Sequence, residues 1–136
     1  MPDKKMIIDG TGAIFGRLAS FAAKKAIEGR EVIIVNSEKA VITGNKKEVI
    51  DKYSRLRKKG GHSLKGPKYS KAPCDMLKRG VRGMLPDFRR GQGKEAYKRI
   101  RCYEGIPSEF EKEKILKIVA PKKLKYIKLK ELSERI

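Results

Sequence analysis

The chain has 136 residues, 39% of them apolar, which is enough for one hydrophobic core and points to a single folded domain with appendages. Its 35 Lys and Arg against 16 Asp and Glu leave a net charge of +19 and a pI of about 10.1. A compact body with that much charge repels itself unless a polyanion neutralises it, so nucleic acid is the first candidate partner. No run of eighteen apolar residues offers a membrane span, and Met1-Pro2-Asp3-Lys4-Lys5 leads into a short apolar strand, not a signal-peptide core. Two distant cysteines, Cys74 and Cys102, and a single histidine, His62, suggest neither a disulfide framework nor a metal site. A reduced cytosolic compartment fits them best.

The first half of the chain alternates strand and helix signals. Met6-Ile7-Ile8 reads as a short buried strand, and Gly10-Thr11-Gly12 as the turn that releases it into a helix. From Ile14, apolar residues recur at Leu18, Phe21, Ala22 and Ala26, one helical face, and Gly29 supplies a stop. Val32-Ile33-Ile34-Val35 is a continuous apolar run, as expected of a strand covered on both faces at the centre of a parallel sheet. After a third run, Ala40-Val41-Ile42, Asn45 with Glu48 opens a second helix by capping. Val49, Ile50, Tyr53 and Leu56 form its apolar side, with Lys46, Lys47, Lys52, Arg55 and Lys58 over much of the rest.

Residues 59 to 72 have the Gly, Pro and Ser content of a loop and nothing periodic to bury, so mobility is expected of them. After Pro73, Leu77, Val81 and Met84 return to helical spacing, while Lys78, Arg79 and Arg82 fall on the opposite arc. Pro86 ends that helix. Phe88 to Lys94 reads as a flexible basic link into a helix around Glu95 to Arg99, and Ile100 to Tyr103 as a last strand. In the tail, Ser108 and Glu111 have capping spacing, Ile115 to Val119 is apolar, and Leu124 to Leu132 reads as a short amphipathic helix. The expected organisation is one α/β domain over residues 1 to 105 and an extension over 106 to 136, packed on the body or on a neighbour.

The charge is not spread evenly. Residues 52 to 101 hold 17 Lys and Arg against three acids, Asp75, Asp87 and Glu95, whereas the flanks are nearly balanced. That excess is more than solubility asks for, and glycines among the cations let backbone approach phosphate. Tyr53, Tyr69, Phe88, Tyr97 and Tyr103 are interspersed; most read as packing residues, and Tyr69, in the loop, as a candidate for stacking on a base.

Enzymatic readings find less support. Gly10 to Gly16 sits where a dinucleotide loop would, but its spacing is G-x-G-x-x-x-G, and the second strand ends in Asn36-Ser37 with no acid for a ribose. The simpler account is a tight turn that needs glycine geometry. Nothing in the sequence brings Cys74 and His62 together as nucleophile and base, and the carboxylates are scattered among lysines.

Five ordered segments carry a resemblance: Gly16-Arg17-Leu18-Ala19-Ser20, Val32 to Glu38, Ile42-Thr43-Gly44, Val81-Arg82-Gly83-Met84-Leu85-Pro86, and Tyr103-Glu104-Gly105-Ile106-Pro107. Together, over about residues 6 to 107, the chain closely resembles the universal large-subunit ribosomal protein thirteen family. The resemblance implies a three-layer α/β/α fold around a small, mainly parallel four-stranded sheet. It also implies contact with large-subunit ribosomal RNA and neighbouring large-subunit proteins, support of early subunit assembly, and no catalysis, cofactor, metal, small-molecule substrate or membrane. Gly29-Arg30-Glu31 runs straight into the second strand, where the bacterial pattern inserts a segment; this compact form resembles the archaeal and eukaryotic branch, and the short tail favours archaea.

From the resemblance, Arg17 and Arg82 are carried over as RNA-facing. From the charge pattern the expected contacts extend to Arg55, Arg57, Lys58, Lys59, His62, Lys65, Lys68, Tyr69, Lys71, Lys78, Arg79, Arg89, Arg90, Lys94, Lys98 and Arg101. The alternative is an extra-ribosomal messenger-RNA-binding translational regulator, and a nucleotide-dependent enzyme on the same scaffold is a third reading.

Overall fold

The computed structural model describes residues 5–59, 70–118 and 125–136. Strand β1 (Lys5–Asp9) and strand β2 (Glu31–Val35) pair in parallel, with Ile8 opposite Ile34. Between them runs α1 (Phe15–Ile27), which buries Leu18, Ala19, Ala22, Ala23 and Ala26. Four of these five are alanines, so the helix axis can approach its neighbours closely. Gly29, at φ +100°, closes α1 in a conformation that costs glycine little. Arg99 reaches back across the fold, its Nη1 donating to the Ala26 carbonyl at 3.0 Å, and so satisfies an end of α1 with a charged donor.

Strand β3 (Val41–Thr43) leads through Gly44, at φ +128°, into α2 (Lys46–Lys58). Asn45 caps α2 as expected, its side chain accepting from the Lys47 N–H at 3.0 Å. No residue of α2 is fully buried; Val49, Ile50, Tyr53 and Leu56 are half-buried, so this helix rests on the body by one edge.

Helix α3 (Pro73–Met84) begins with proline in its first turn and buries Pro73, Met76, Leu77 and Val81. Met84 departs from the expected apolar arc: it is 45% exposed, and Leu85, one residue beyond the helix, takes the inward place. Helix α4 (Gly91–Lys98) starts four residues before the expected Glu95 and absorbs most of the link read as flexible. Gly93 explains the difference: it is buried against the Pro86–Asp87 backbone so closely that a Cβ there would overlap the Pro86 carbonyl oxygen. A glycine that reads as flexibility in the sequence is here the means of close approach.

Strand β4 (Ile100–Cys102) pairs in parallel with β2, but it is not the last strand. Strand β5 (Ile115–Lys117) joins the far side of β1, giving a four-stranded parallel sheet in the order β4-β2-β1-β5. Strand β6 (Tyr126–Lys128) pairs antiparallel with β3 in a separate two-stranded sheet, and α5 (Leu129–Arg135) follows it. The tail helix therefore starts later than the expected Leu124, because residues 126–128 find a strand partner that local pattern does not reveal.

The α/β class, the four parallel strands and the helical layering agree with expectation. Ile8, Val32, Ile34 and Ile100 face a core shared with α1, α3, α4 and α5. Ile7, Ile33 and Val35 face the other way and pack with Phe110, whose 3-10 turn at Ser108–Phe110 covers that side with Tyr103 and Ile115. Because β2 is buried on both faces, its continuous apolar run is the arrangement that burial demands.

Candidate nucleic-acid interface

At the carboxyl ends of β1 and β2, where an open α/β sheet offers a ligand crevice, the chain fills the crevice with itself. Asn36 takes the left-handed conformation (φ +55°) and its amide donates to Asp9 Oδ1 at 3.1 Å. Asp9 Oδ1 also accepts from the Thr11 N–H at 2.9 Å and the Thr11 hydroxyl at 2.7 Å. Burial pushes the Asp9 carboxyl up, but the Thr11 and Asn36 hydrogen bonds and the nearby Lys117 outweigh it, so the pKa lies below 3.8. A Cβ on Gly10 would stand 3.2 Å from the Asn36 and Val35 carbonyl oxygens. The Gly105 N–H donates to Glu38 Oε2 at 3.0 Å, and the Asn36 N–H to the Gly105 carbonyl at 2.9 Å. The Asn36-Ser37-Glu38 and Tyr103-Glu104-Gly105 segments thus recognise each other, and their role is structural.

Both cysteines are half-buried. Burial, then the charge of Glu104, pushes the Cys74 thiol up to about 11, and burial pushes Cys102 up to about 12. Neither is a thiolate at neutral pH. His62 lies outside the described residues, so the Cys74–His62 pairing has no geometry to weigh. Among the described residues no group of three or more His, Cys, Asp or Glu could hold a metal, and no helix is long and apolar enough to cross a membrane.

The cations are organised around α3. Lys78, Arg79 and Arg82 are half-buried on the side away from Leu77 and Val81, so their stems lie along protein while their heads reach solvent. Two rings hold Lys78 and Arg82. Lys78 Nζ stands 5.2 Å from the centre of the Tyr97 ring, and the Arg82 guanidinium 4.7 Å from that of Phe88. Arg89 lies 5.2 Å from the same Phe88 ring, and Phe88 meets Tyr97 edge to face at 6.2 Å. Cation–aromatic contacts of this kind contribute about 0.5–1 kcal/mol each at exposed sites. The rings fix the positions of the charges without neutralising them, as carboxylates would.

Two adjoining clefts open beside this row. One, of about 220 Å³, is bounded by Ser70, Asp75, Lys78, Arg79, Arg82 and Tyr97. The other, of about 380 Å³, runs between α2 and α3 past Phe15, Lys52, Tyr53, Leu56 and Arg79. Asp75 is the acid between them; Ser70 Oγ donates to its carboxylate at 3.0 Å and accepts from the Ala72 N–H at 3.2 Å, which secures the start of α3.

The remaining expected contacts spread outward from this centre. Arg55, Arg57 and Lys58 are exposed on the last turns of α2 and Lys59 just past it; Lys71 precedes α3; Arg89 and Arg90 precede α4; Lys94 and Lys98 lie on α4. Arg101 is exposed on β4, and Arg17 on the first turn of α1. Lys98 is 4.0 Å from Glu95, an exposed pair worth little. His62, Lys65, Lys68 and Tyr69, with most of the loop read as mobile, fall outside the described residues. Sequence reasoning did not assign Phe88 and Tyr97 their part in holding the arginines and Lys78; the Phe88-Arg89 step just beyond a cationic helix was the available signal.

Residues 3–109 match the family described as Ribosomal protein L13. The chain is similar to the large ribosomal subunit protein uL13 of Thermoplasma acidophilum, 46% identical over 112 residues that cover 82% of this chain and 81% of the relative. It is also similar to the uL13 proteins of Methanocaldococcus jannaschii, 42% identical over 96% of both chains, and Methanococcus maripaludis, 39% identical over 95% of both. A family match across most of the chain, with relatives at this identity end to end, places it: the chain belongs to the ribosomal protein L13 family.

Proposed function

We propose that this protein is a non-catalytic constituent of the large ribosomal subunit in the cytoplasm, and that it binds large-subunit ribosomal RNA and supports assembly of the subunit through the cationic surface centred on α3. The observation that carries the reading is the row Lys78, Arg79 and Arg82, half-buried at the stem, with Lys78 and Arg82 set over aromatic rings. A phosphate backbone meeting charges already held in place costs less side-chain ordering than one meeting free lysines. Arg17, Arg55, Arg57, Lys58, Lys59, Lys71, Arg89, Arg90, Lys94, Lys98 and Arg101 extend the surface, and each contact formed releases counterions, with a salt slope of roughly 0.7 to 0.9 per phosphate.

The test is the triple variant K78A/R79A/R82A. It should melt about 5 °C below the parent, through loss of the two ring contacts and of the packed stems, yet stay folded at assay temperature, and lower the salt slope for a large-subunit RNA transcript by about two to three. Its incorporation into large subunits should fall, while the parent sediments with them through moderate salt. Incorporation and a salt slope equal to the parent's would overturn the assignment of α3.

A further inference from the structure

The largest cleft among those described lies away from the α3 row, where Gly44 carries the chain from β3 into α2. It has a volume of about 610 Å³ and is lined by Asn45, Lys46, Lys125, Tyr126, Lys128 and Glu131. The Gly44 N–H donates to the Lys125 carbonyl at 3.0 Å, and Thr43 pairs with Tyr126, so the start of α2 and strand β6 are fixed against each other as the two walls. Along β6 only Ile127 is buried; Tyr126 and Lys128 are exposed, Tyr126 by 40%.

Among the described residues, the wall charges are three lysines against one acid. Glu131 is engaged twice, by Lys46 at 3.4 Å and by Arg135 at 3.4 Å, which leaves Lys125 and Lys128 to set the potential of the cleft. The first turn of α2, capped by Asn45, adds the positive end of a thirteen-residue helix. Tyr126 and two cations lining one cleft of this size match an unpaired nucleotide: the base has a ring to stack on and its phosphates have lysines on the same walls.

We infer that this cleft is a second RNA site, which takes an unpaired nucleotide of the RNA with its base stacked on Tyr126 and its flanking phosphates on Lys125 and Lys128. The inference rests on the RNA-binding reading of the preceding subsection and adds a contact surface from the tail of the chain. Lys46 is a positioning residue there, since it holds Glu131 away from the phosphates.

The test titrates the full chain with a fluorescein-labelled twelve-nucleotide oligoadenylate over a range of salt. Y126A should bind about tenfold more weakly, from the loss of one stacked base, whereas Y126F should bind as the parent. K125A/K128A should lower the salt slope by about 1.4, two contacts at roughly 0.7 each on a single strand. Exposed side chains are replaced in every case, so melting temperatures should stay with the parent's. Parental affinity and slope in both Y126A and K125A/K128A, with K78A/R79A/R82A weakened on the same probe, would sink this cleft and leave the α3 surface standing; parental binding by all three would remove both. If AMP alone saturated the cleft as tightly as the oligomer, and Y126A abolished that binding, the site would be one for mononucleotides and the inference would be overturned.

Discussion

Replacing Gly93 with alanine tests whether α4 is held by close backbone contact, because the added Cβ would overlap the Pro86 carbonyl oxygen and come within 2.7 Å of the Asp87 carbonyl. Both obstacles are main chain, so no rotamer change relieves them; α4 must move off the 86–87 segment. Overpacking of this kind costs about 3 kcal/mol, the upper part of the usual range, since the strain cannot be passed to a flexible side chain. For a domain of this size that lowers Tm by roughly 10 °C. Two companion variants set the scale. At Gly80 the same Cβ would meet the Phe15 ring at 2.6 Å, but a half-buried side chain can swing aside, so G80A should cost only about 1 kcal/mol. At Gly83, within α3, nothing lies within 4 Å, and alanine should stabilise by about 0.5–1 kcal/mol through helix propensity. Thermal unfolding followed by circular dichroism orders the three. Below its Tm, G93A should also bind RNA more weakly, because Tyr97 moves with α4 and releases Lys78. A G93A melt within about 3 °C of the parent, or one above that of G80A, would refute the account of α4.

Phe88→Ala should weaken binding of large-subunit RNA severalfold by freeing Arg82 and Arg89, yet leave the salt slope unchanged, since no phosphate contact is deleted; isotherms at several salt concentrations measure both. Arg99→Ala should lower stability by about 1–2 kcal/mol through loss of the charged donor to Ala26, with RNA affinity retained; denaturant unfolding beside a binding isotherm separates the two effects. Asp9 has a folded pKa below its unfolded one, so its contribution to stability is present above about pH 4 and is lost as pH falls through the folded value; D9N should flatten that acid limb in a series of melts. At pH 8, native Cys74, with its thiol at about 11 against 9.0, should react with iodoacetamide about a hundredfold more slowly than a free thiol, and unfolding should restore the rate.

Elements whose burial is decided locally were legible in the sequence. Val32 to Val35 announces a strand covered on both faces, Asn45 announces the start of α2, and the Leu77–Val81 spacing announces α3 with its cationic back. The rest depended on partners distant in sequence. Residues 115–117 and 126–128 are strands because β1 and β3 offer them unpaired edges; three residues are too short for alternation to declare itself. Gly91 and Gly93 concealed the first turn of α4, since glycine disfavours helix on its own and the contact with Pro86 that requires it is tertiary. Of the candidate interface, the cationic residues could be read from composition, but the means of holding them could not. Phe88 gives no sign in sequence of standing between Arg82 and Arg89, because that arrangement exists only once α3 and α4 are docked.

The order of strands in the main sheet carries a kinetic consequence. Ile7 pairs with Ile115 across almost the whole chain, so the sheet cannot be completed until β5 has been synthesised, whereas β1, α1 and β2 can assemble as a local unit. At about 5–20 residues per second, roughly one to four seconds separate the emergence of α4 from that of β5. During that interval the cationic helices are already out while one side of β1 still waits for its partner. The rate at which β5 closes that edge therefore sets how long the new chain presents an unpaired strand to its surroundings.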